Sequence, residues 1–599
     1  MVLSNFYAAA LCSALVGTSS AARFSAEEYT SGEVHHNIMG MKMAQWEEEM
    51  QTGAMNSSQW PELGFTKCEN GFAAAIPGDV NNTFSCHNTD LYHFLPHSAL
   101  GSVGRGSSMW GWTSEDGREI VAIGQYDGTA FAEITSEGKI SYLGRLPQYD
   151  AIGSNWREIR IVGDYAVIGS EAIKHGVQIF DMKKTLDLDP ANPKNFTQAD
   201  LSSHWDELPV GRTHNIVVNE ELNYAIACGS VGGNETIRVR GDLPCRGGLI
   251  FLDMSDPNNV TSPGCAAGDG YVHDAQCVVY RGPDTRYYGK DVCYAFNEGK
   301  INRQRAHSSP TRFRDHLTIY DVTNKTGNTT TIISRTDYPG AEYIHQGVVN
   351  NITWQEYLFL DDEFDERDAD VGPMTQGLPT THIFDIRDLE NPFYSGNFNG
   401  RKRSIDHNQY IVDNYLYQSN YGNGLNVWDV SSVTEDPSGG SICEAGWFDI
   451  YPEDDEFEGG GSVAFLGSWH SWPYFKSGFI FVHTIERGSF VVKMNSKECV
   501  KPKVCKSNTC LSSLRASSIE GRLEQSQQFC HTWLQRQRIE ENLIPDYART
   551  GCAGENVVEA VSSACGCVPT SAVPELPRTT SRPPVPTVLP AKRSPMTAM

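Results

Sequence analysis

GTAFAEI (128–134), GVQIFDM (176–182), GLIFLDM (248–254), LTIYDVT (317–323), THIFDIR (381–387), GLNVWDV (424–430) and GSFVVKM (488–494) are seven versions of one pattern. Each is an apolar run of strand length, rich in β-branched and aromatic residues. Each carries a charged residue at or near its end: Glu133, Asp181, Asp253, Asp321, Asp385, Asp429 and, in the last copy, Lys493. The copies recur about every sixty residues, and self-similarity at a fixed period decides an architecture before any single motif does.

Working outward, a second strand-like stretch precedes each copy: EIVAIGQY, YAVIGSE, YAIACGS, VCYAFNE, YLFLDDE, YLYQSNY and FIFVHTI. Before each of these lies a third, headed in order by Trp112, Trp156, His214, His273, His345, His407 and His470. A fourth follows the copy, as in YLGRLP (142–147), IISRTDYP (332–339), FYSGNFNG (393–400) and EAGWFDIYP (444–452). Four strands repeated seven times predict an all-β chain arranged as a seven-bladed β-propeller, the radial solution to exposed sheet edges. A linear solenoid would need capping repeats, and the sequence shows none. The last copy supplies three strands before Cys499, so DLYHFL (90–95) is expected to complete the seventh blade and latch the ring. Cys68 and Cys86 are placed to staple that segment.

The chain has 599 residues and a formal charge of −26. That balance argues against a sequence-independent grip on nucleic acid or on an anionic membrane. Residues 1–22 have the apolar stretch and small-residue end of a signal peptide, and no other apolar stretch is long enough to span a bilayer. Sequons stand at Asn56, Asn81, Asn195, Asn234, Asn259, Asn324, Asn328 and Asn351. The 16 cysteines become an odd number once the signal segment is removed, so at least one thiol is expected to stay out of intramolecular pairing. These features predict an extracellular, secreted glycoprotein with disulfides, possible cell-wall association included. The expected layout is an N-terminal extension over 23–99, the propeller over 100–498, a small helical, disulfide-rich C-terminal module over 499–567 and a disordered Pro/Ser/Thr-rich tail over 568–599.

The stretches WGWT (110–113), WREIRI (156–161), GRTHNIVVNEELNYA (211–225), DGYVHDAQCVVYRGPDT (269–285), YIHQG (343–347), IDHNQY (405–410) and YQSNYGNGL (417–425) resemble the choice-of-anchor B family. The resemblance covers about residues 100–494 and implies an extracellular propeller of LVIVD-type repeats, with no catalytic residues attached to it. Val348 follows HQG where the family pattern has Trp, and residues 299–314 look inserted in blade four. The cysteine spacing after 499 is similar to modules appended to fungal secreted proteins.

Aligning the repeats places His214, His273, His345 and His407 at one position in four consecutive blades, the start of the innermost strand. The second strand returns antiparallel, and at its end lie Glu171, Glu298 and Glu363. Imidazole is the commonest metal ligand, and a carboxylate on the other ring nitrogen holds its tautomer. The pattern therefore predicts one divalent transition metal (Fe, Zn, Cu or Mn) on the propeller axis, with the histidines as ligands and the glutamates behind them. Equally, the same residues could pack a wet channel without an ion. The layout is similar to the non-haem iron site of carotenoid cleavage oxygenases, without a sequence match. DDEFDE (361–366) offers hard oxygen ligands but lacks EF-hand spacing, and a solvated acidic loop is expected there.

Two functional classes follow. One is a binding or interaction module for an extracellular glycan, cell-wall or protein ligand. The other is a metal-dependent extracellular oxidoreductase, in which the four histidines leave open positions on the ion. No nucleophile elbow, Walker loop or dinucleotide loop stands out.

Overall fold

A computed structural model describes residues 32–499, less 103, 151, 209–210, 231–237, 240–242, 246, 268, 299–315, 328–329 and 369–375, together with parts of 514–565. The expected signal segment over 1–22, the expected insert at 299–314 and the expected tail over 568–599 lie outside the described residues.

Seven antiparallel sheets, each built on four strands, follow one another along the chain: blades one to seven occupy 106–147, 157–205, 215–266, 271–336, 344–399, 408–448 and 468–494. The inner strands of each sheet have a neighbouring blade on either face, which is why they are continuous apolar runs and do not alternate, whereas outer strands such as Thr331–Thr336 and Phe393–Asn399 are partly exposed. Val167, Val177 and Ile179 of blade two pack on Ile216, Ala225 and Ile250 of blade three. Leu425 and Val427 of blade six meet Ile480, Val482 and Phe490 of blade seven.

The acid that closes the repeated strand has a physical job. Asp181, Asp253, Asp321, Asp385 and Asp429 each accept a hydrogen bond from the backbone N–H two residues on, at 2.9–3.1 Å. Such an Asx turn stops the strand and reverses the chain. Glu133 pairs with Arg118 instead, and Lys493 donates to the Ser477 carbonyl.

Blade seven takes its outermost strand from the other end of the described chain. Thr89–Pro96 pairs antiparallel with Gly488–Met494, with Leu91 opposite Val492 and Phe94 opposite Phe490. The preceding strand, Thr83–His87, pairs with the outer strand of blade six. The Cys68–Cys86 and Cys443–Cys499 disulfides bracket this seam. Cys245–Cys265 and Cys277–Cys293 lie within blades three and four, and Cys228 is a buried free thiol.

The sequence reading did not foresee helix α1, Glu33–Thr52, which ends on Gly53 in the left-handed region at φ 85°. Its buried face is Val34, His35, Ile38, Met39, Lys42 and Trp46. The C-terminal unit has its own core around Leu514, Cys530, Ile544, Ala548, Val561 and Cys565, helices at Asp546–Gly551 and Val557–Cys565 with further helical residues over 525–530, and the Cys530–Cys565 disulfide. Among the described residues no helix is long and apolar enough to cross a membrane.

Candidate metal centre on the propeller axis

The inner strands bring six rings to one end of the axis. Trp156, His214, His273, His345, His407 and Trp469, one from each of blades two to seven, line a cavity of about 20 Å³. That is room for a single water or ion. In three blades the ring stands on a β-bulge: the strand registers skip His273, His345 and Trp469. A bulge carries one unpaired residue and re-aims its side chain, here into the channel. This corrects the repeat alignment in two places. Blade seven presents Trp469, while His470 faces the other way, hydrogen-bonded to Ser108 and stacked on Tyr410. The inner strand of blade one starts at Gly106, so Trp112 sits near its far end. Trp46 of α1 fills the gap, contacting Trp156 and Trp469 at 5.4 and 6.2 Å between ring centres.

The four histidines stand side by side, with successive ring centres 4.3, 4.4 and 4.4 Å apart. Each commits Nδ1 to an acceptor. His273 Nδ1 donates to the His345 carbonyl at 3.0 Å, and His407 Nδ1 to the Trp469 carbonyl at 2.7 Å. A carbonyl can only accept, so the proton sits on Nδ1 and Nε2 keeps its lone pair. His214 Nδ1 donates to Glu171 and His345 Nδ1 to Asp361. Nε2 of His214 and His273 then face each other at 2.7 Å. Two lone pairs at that distance repel unless a cation, proton or metal, lies between them.

Burial, reinforced by neighbouring histidines, holds His273 and His345 well below the ordinary imidazole range, and burial takes His407 to about 4. These rings are neutral at physiological pH, the form in which imidazole ligates a metal. The ligand atoms of His345, Glu363 and His407 lie within 4.8 Å of one another, as do those of His35, Glu171 and His214.

The glutamates take three different roles. Glu171 orients His214 and also accepts from His35 Nε2 at 2.7 Å. Glu298 bonds His35 Nδ1 at 2.8 Å and the Tyr343 hydroxyl at 2.6 Å. Glu363 lies 3.4 Å from His407 Nε2 and 3.9 Å from His345 Nε2, and it accepts from Lys42 and Tyr421. Burial would lower His35, but Glu298 and Glu171 outweigh it and push this imidazole up to about 9, so it is a cation. Thus α1 plugs this end of the axis with two buried positive charges, His35 and Lys42. Asp361 behind His345 was also missed by sequence reasoning. Its signal was the same repeat phase that marks Glu363, two positions on.

The DDEFDE run departs from its expected character. Asp361, Asp362, Glu363, Asp365 and Glu366 are all buried. Asp362 ties down the backbone N–H groups of Glu342, Tyr343 and Phe364. Burial, with neighbouring carboxyls, lifts Asp361, Asp365 and Glu366 well above the usual carboxylate range.

Fold and site together define a disulfide-containing seven-bladed propeller with a plugged axial histidine cage. No family model matches the chain, and no curated protein matches it. Among solved structures it is similar to the computationally designed Ika8 protein, at 9% identity and a TM-score of 0.33, over 65% of this chain and 96% of that one.

Proposed function

We propose that the protein is a secreted binding protein whose axial cage holds one divalent transition-metal ion. The observation that carries the metal is the commitment of all four Nδ1 atoms outward, which leaves the Nε2 lone pairs for the channel. Metal–imidazole bonds are about 2.0–2.1 Å, so tetrahedral ligand nitrogens stand about 3.3 Å apart and the His214–His273 pair would open by about 0.6 Å; the ligand groups already within 4.8 Å each hold two imidazoles and a glutamate, so gathering all four Nε2 atoms on one ion takes a larger movement. Secretion is supported by the signal-like start, by the disulfides, and by the exposure of Asn56, Asn81, Asn195, Asn259, Asn324 and Asn351, the six sequon asparagines among the described residues. Membership of the choice-of-anchor B family rests on the motifs alone.

The test is metal content of the purified full-length chain by inductively coupled plasma mass spectrometry, beside a variant with His214, His273, His345 and His407 changed to Ala. About one equivalent, absent from the variant, is expected, together with a metal-dependent rise in melting temperature that chelator reverses. A folded parent that contains no metal and whose melting point added Fe, Zn, Cu and Mn all leave unmoved refutes the site. One observation favours the oxidoreductase reading: a cleft of about 840 Å³ beside α1 is lined in part by Glu171, which orients a cage histidine. That reading requires substrate turnover that disappears when His273 or His345 is replaced.

A further inference from the structure

Further along the same inner strands, away from the histidines, a second cavity of about 510 Å³ opens. Its size is that of a small-ligand site. One wall is aromatic. Trp110, Trp472, Tyr474 and Tyr410 contact each other in a closed circuit, with ring centres 4.5, 4.8, 6.3 and 5.7 Å apart. Tyr474 is 40% exposed. Blades four to six add the buried polar side chains Asp274, Gln346 and Gln409, beside apolar lining such as Val217, Val278 and Val348.

The two arginines of this cavity are already matched. Arg160 lies over Trp110 at 4.3 Å and is paired with Glu158, and Arg281 at the rim is paired with Glu221. An anion therefore finds no free cation in these two arginines, and the guanidinium on Trp110 repels a cationic ligand from that face. Two buried donors of the lining, Gln409 Nε2 and Trp472 Nε1, have no acceptor among the described residues. Gln409 is fully buried, its backbone N–H is taken by Gln346 Oε1 and its Oε1 accepts from Gln418, yet its Nε2 has no acceptor. Leaving such a donor dry costs about 1–3 kcal/mol. Asp274 belongs to the same lining, where its Oδ1 accepts from the Ala275 N–H at 2.7 Å.

We propose that this cavity binds a neutral saccharide, its C–H face stacked on the Trp472–Tyr474 wall and its hydroxyls meeting Gln409 and Asp274. Flat apolar faces edged with hydroxyls fit a cavity that joins an aromatic wall to buried polar groups and whose arginines are already paired. The proposal rests on the reading of the molecule as a binding protein and is independent of the metal.

The test is isothermal titration of the full-length chain with three soluble hexasaccharides, built of β-1,3-glucose, β-1,4-N-acetylglucosamine and α-mannose. The first two represent wall polysaccharide and the third an N-glycan source. At least one is expected to bind, and Tyr474→Ala and Gln409→Leu are each expected to weaken it by about tenfold. Because Tyr474 is partly exposed, its variant keeps the fold, checked by an unchanged melting curve. The four-histidine variant, if folded, is expected to bind as the parent does. Binding that survives Tyr474→Ala, binding lost only in the histidine variant, or no binding by any of the three would each overturn the proposal. Failure of the metal reading leaves these outcomes unchanged, so the two can fail separately.

Discussion

Single residues here carry charge into places that water does not reach, and Glu486 shows the consequence plainly. Its Oε2 accepts from the Gly467 N–H at 3.0 Å, while Oε1 is buried without a partner. Burial pushes this carboxyl up to about 7, so the folded chain holds a proton that the unfolded chain has released. The sign follows: its contribution to stability is complete below about pH 4.5 and is lost as pH rises through about 7, a change of about 3 kcal/mol. Glu486→Gln is expected to leave the unfolding free energy at pH 4.5 unchanged and to raise it at pH 8 by that amount, measured by urea denaturation. An unaltered pH profile would contradict it. The same scale shows how much of the site was legible. The four histidines could be found because repeat phase converts to position on the axis whatever the side chain. Of their orienting groups Glu171 followed from the same phase, but two of the four acceptors are backbone carbonyls, of His345 and Trp469, which have no sequence signature.

At the scale of the element, α1 is held by charge as much as by apolar packing. Lys42 donates to Glu363 with both side chains buried, and its ammonium lies 4.9 Å from the centre of the Phe465 ring. Removing one partner of a buried pair leaves the other uncompensated and costs about 3–5 kcal/mol, whereas removing both is far cheaper. Lys42→Met is therefore expected to destabilise by about that amount and Lys42→Met with Glu363→Gln by much less, read from a double-mutant cycle in denaturant. Additive losses would show that the pair is not coupled. The helix escaped sequence reading for the same reason. Its buried positions 34, 35, 38, 39, 42 and 46 have helical spacing, but His35 and Lys42 interrupt the apolar stripe by which amphipathic helices are recognised. Gly32 and Gly53, bracketing a run rich in Met, Glu and Gln, were the available signal. The short outer strands Ser203–Trp205 and Cys265–Ala266 gave no pattern, whereas the inner three strands of each blade were legible because both of their faces are buried. That same uniformity hid the bulges: in a run with no polar face, an extra residue leaves no break in pattern, and the head of blade seven shifts from His470 to Trp469.

For the whole molecule the question is what keeps a ring of blades from opening. A propeller closed by strands from one stretch of chain has a free edge at the last blade, and exposed edges invite pairing with other chains. Here Thr89–Pro96 covers that edge, and the chain reaches it from a strand on blade six, so the two blades at the seam are stitched by consecutive strands. The stitching is apolar at its centre: Phe94 meets Phe490 at 4.4 Å, and Phe84 touches both Phe448 and Phe490. Phe94→Asp puts a carboxylate into this cluster with no cation to receive it, so the latch strand leaves and uncovers Gly488–Met494. The expected result is a lower melting temperature together with self-association, seen as a concentration-dependent mass by light scattering after size exclusion. Phe94→Leu keeps the cluster apolar and is expected to keep the mass of the parent with a modest loss of stability. The Cys68–Cys86 staple belongs to the same device: replacing both with Ala is expected to cost about 3 kcal/mol through the freed loop, without self-association. If Phe94→Asp kept the mass of the parent and melted with it, the ring would be closed by contacts between blades alone, and the N-terminal strand would be a covering with no part in closure.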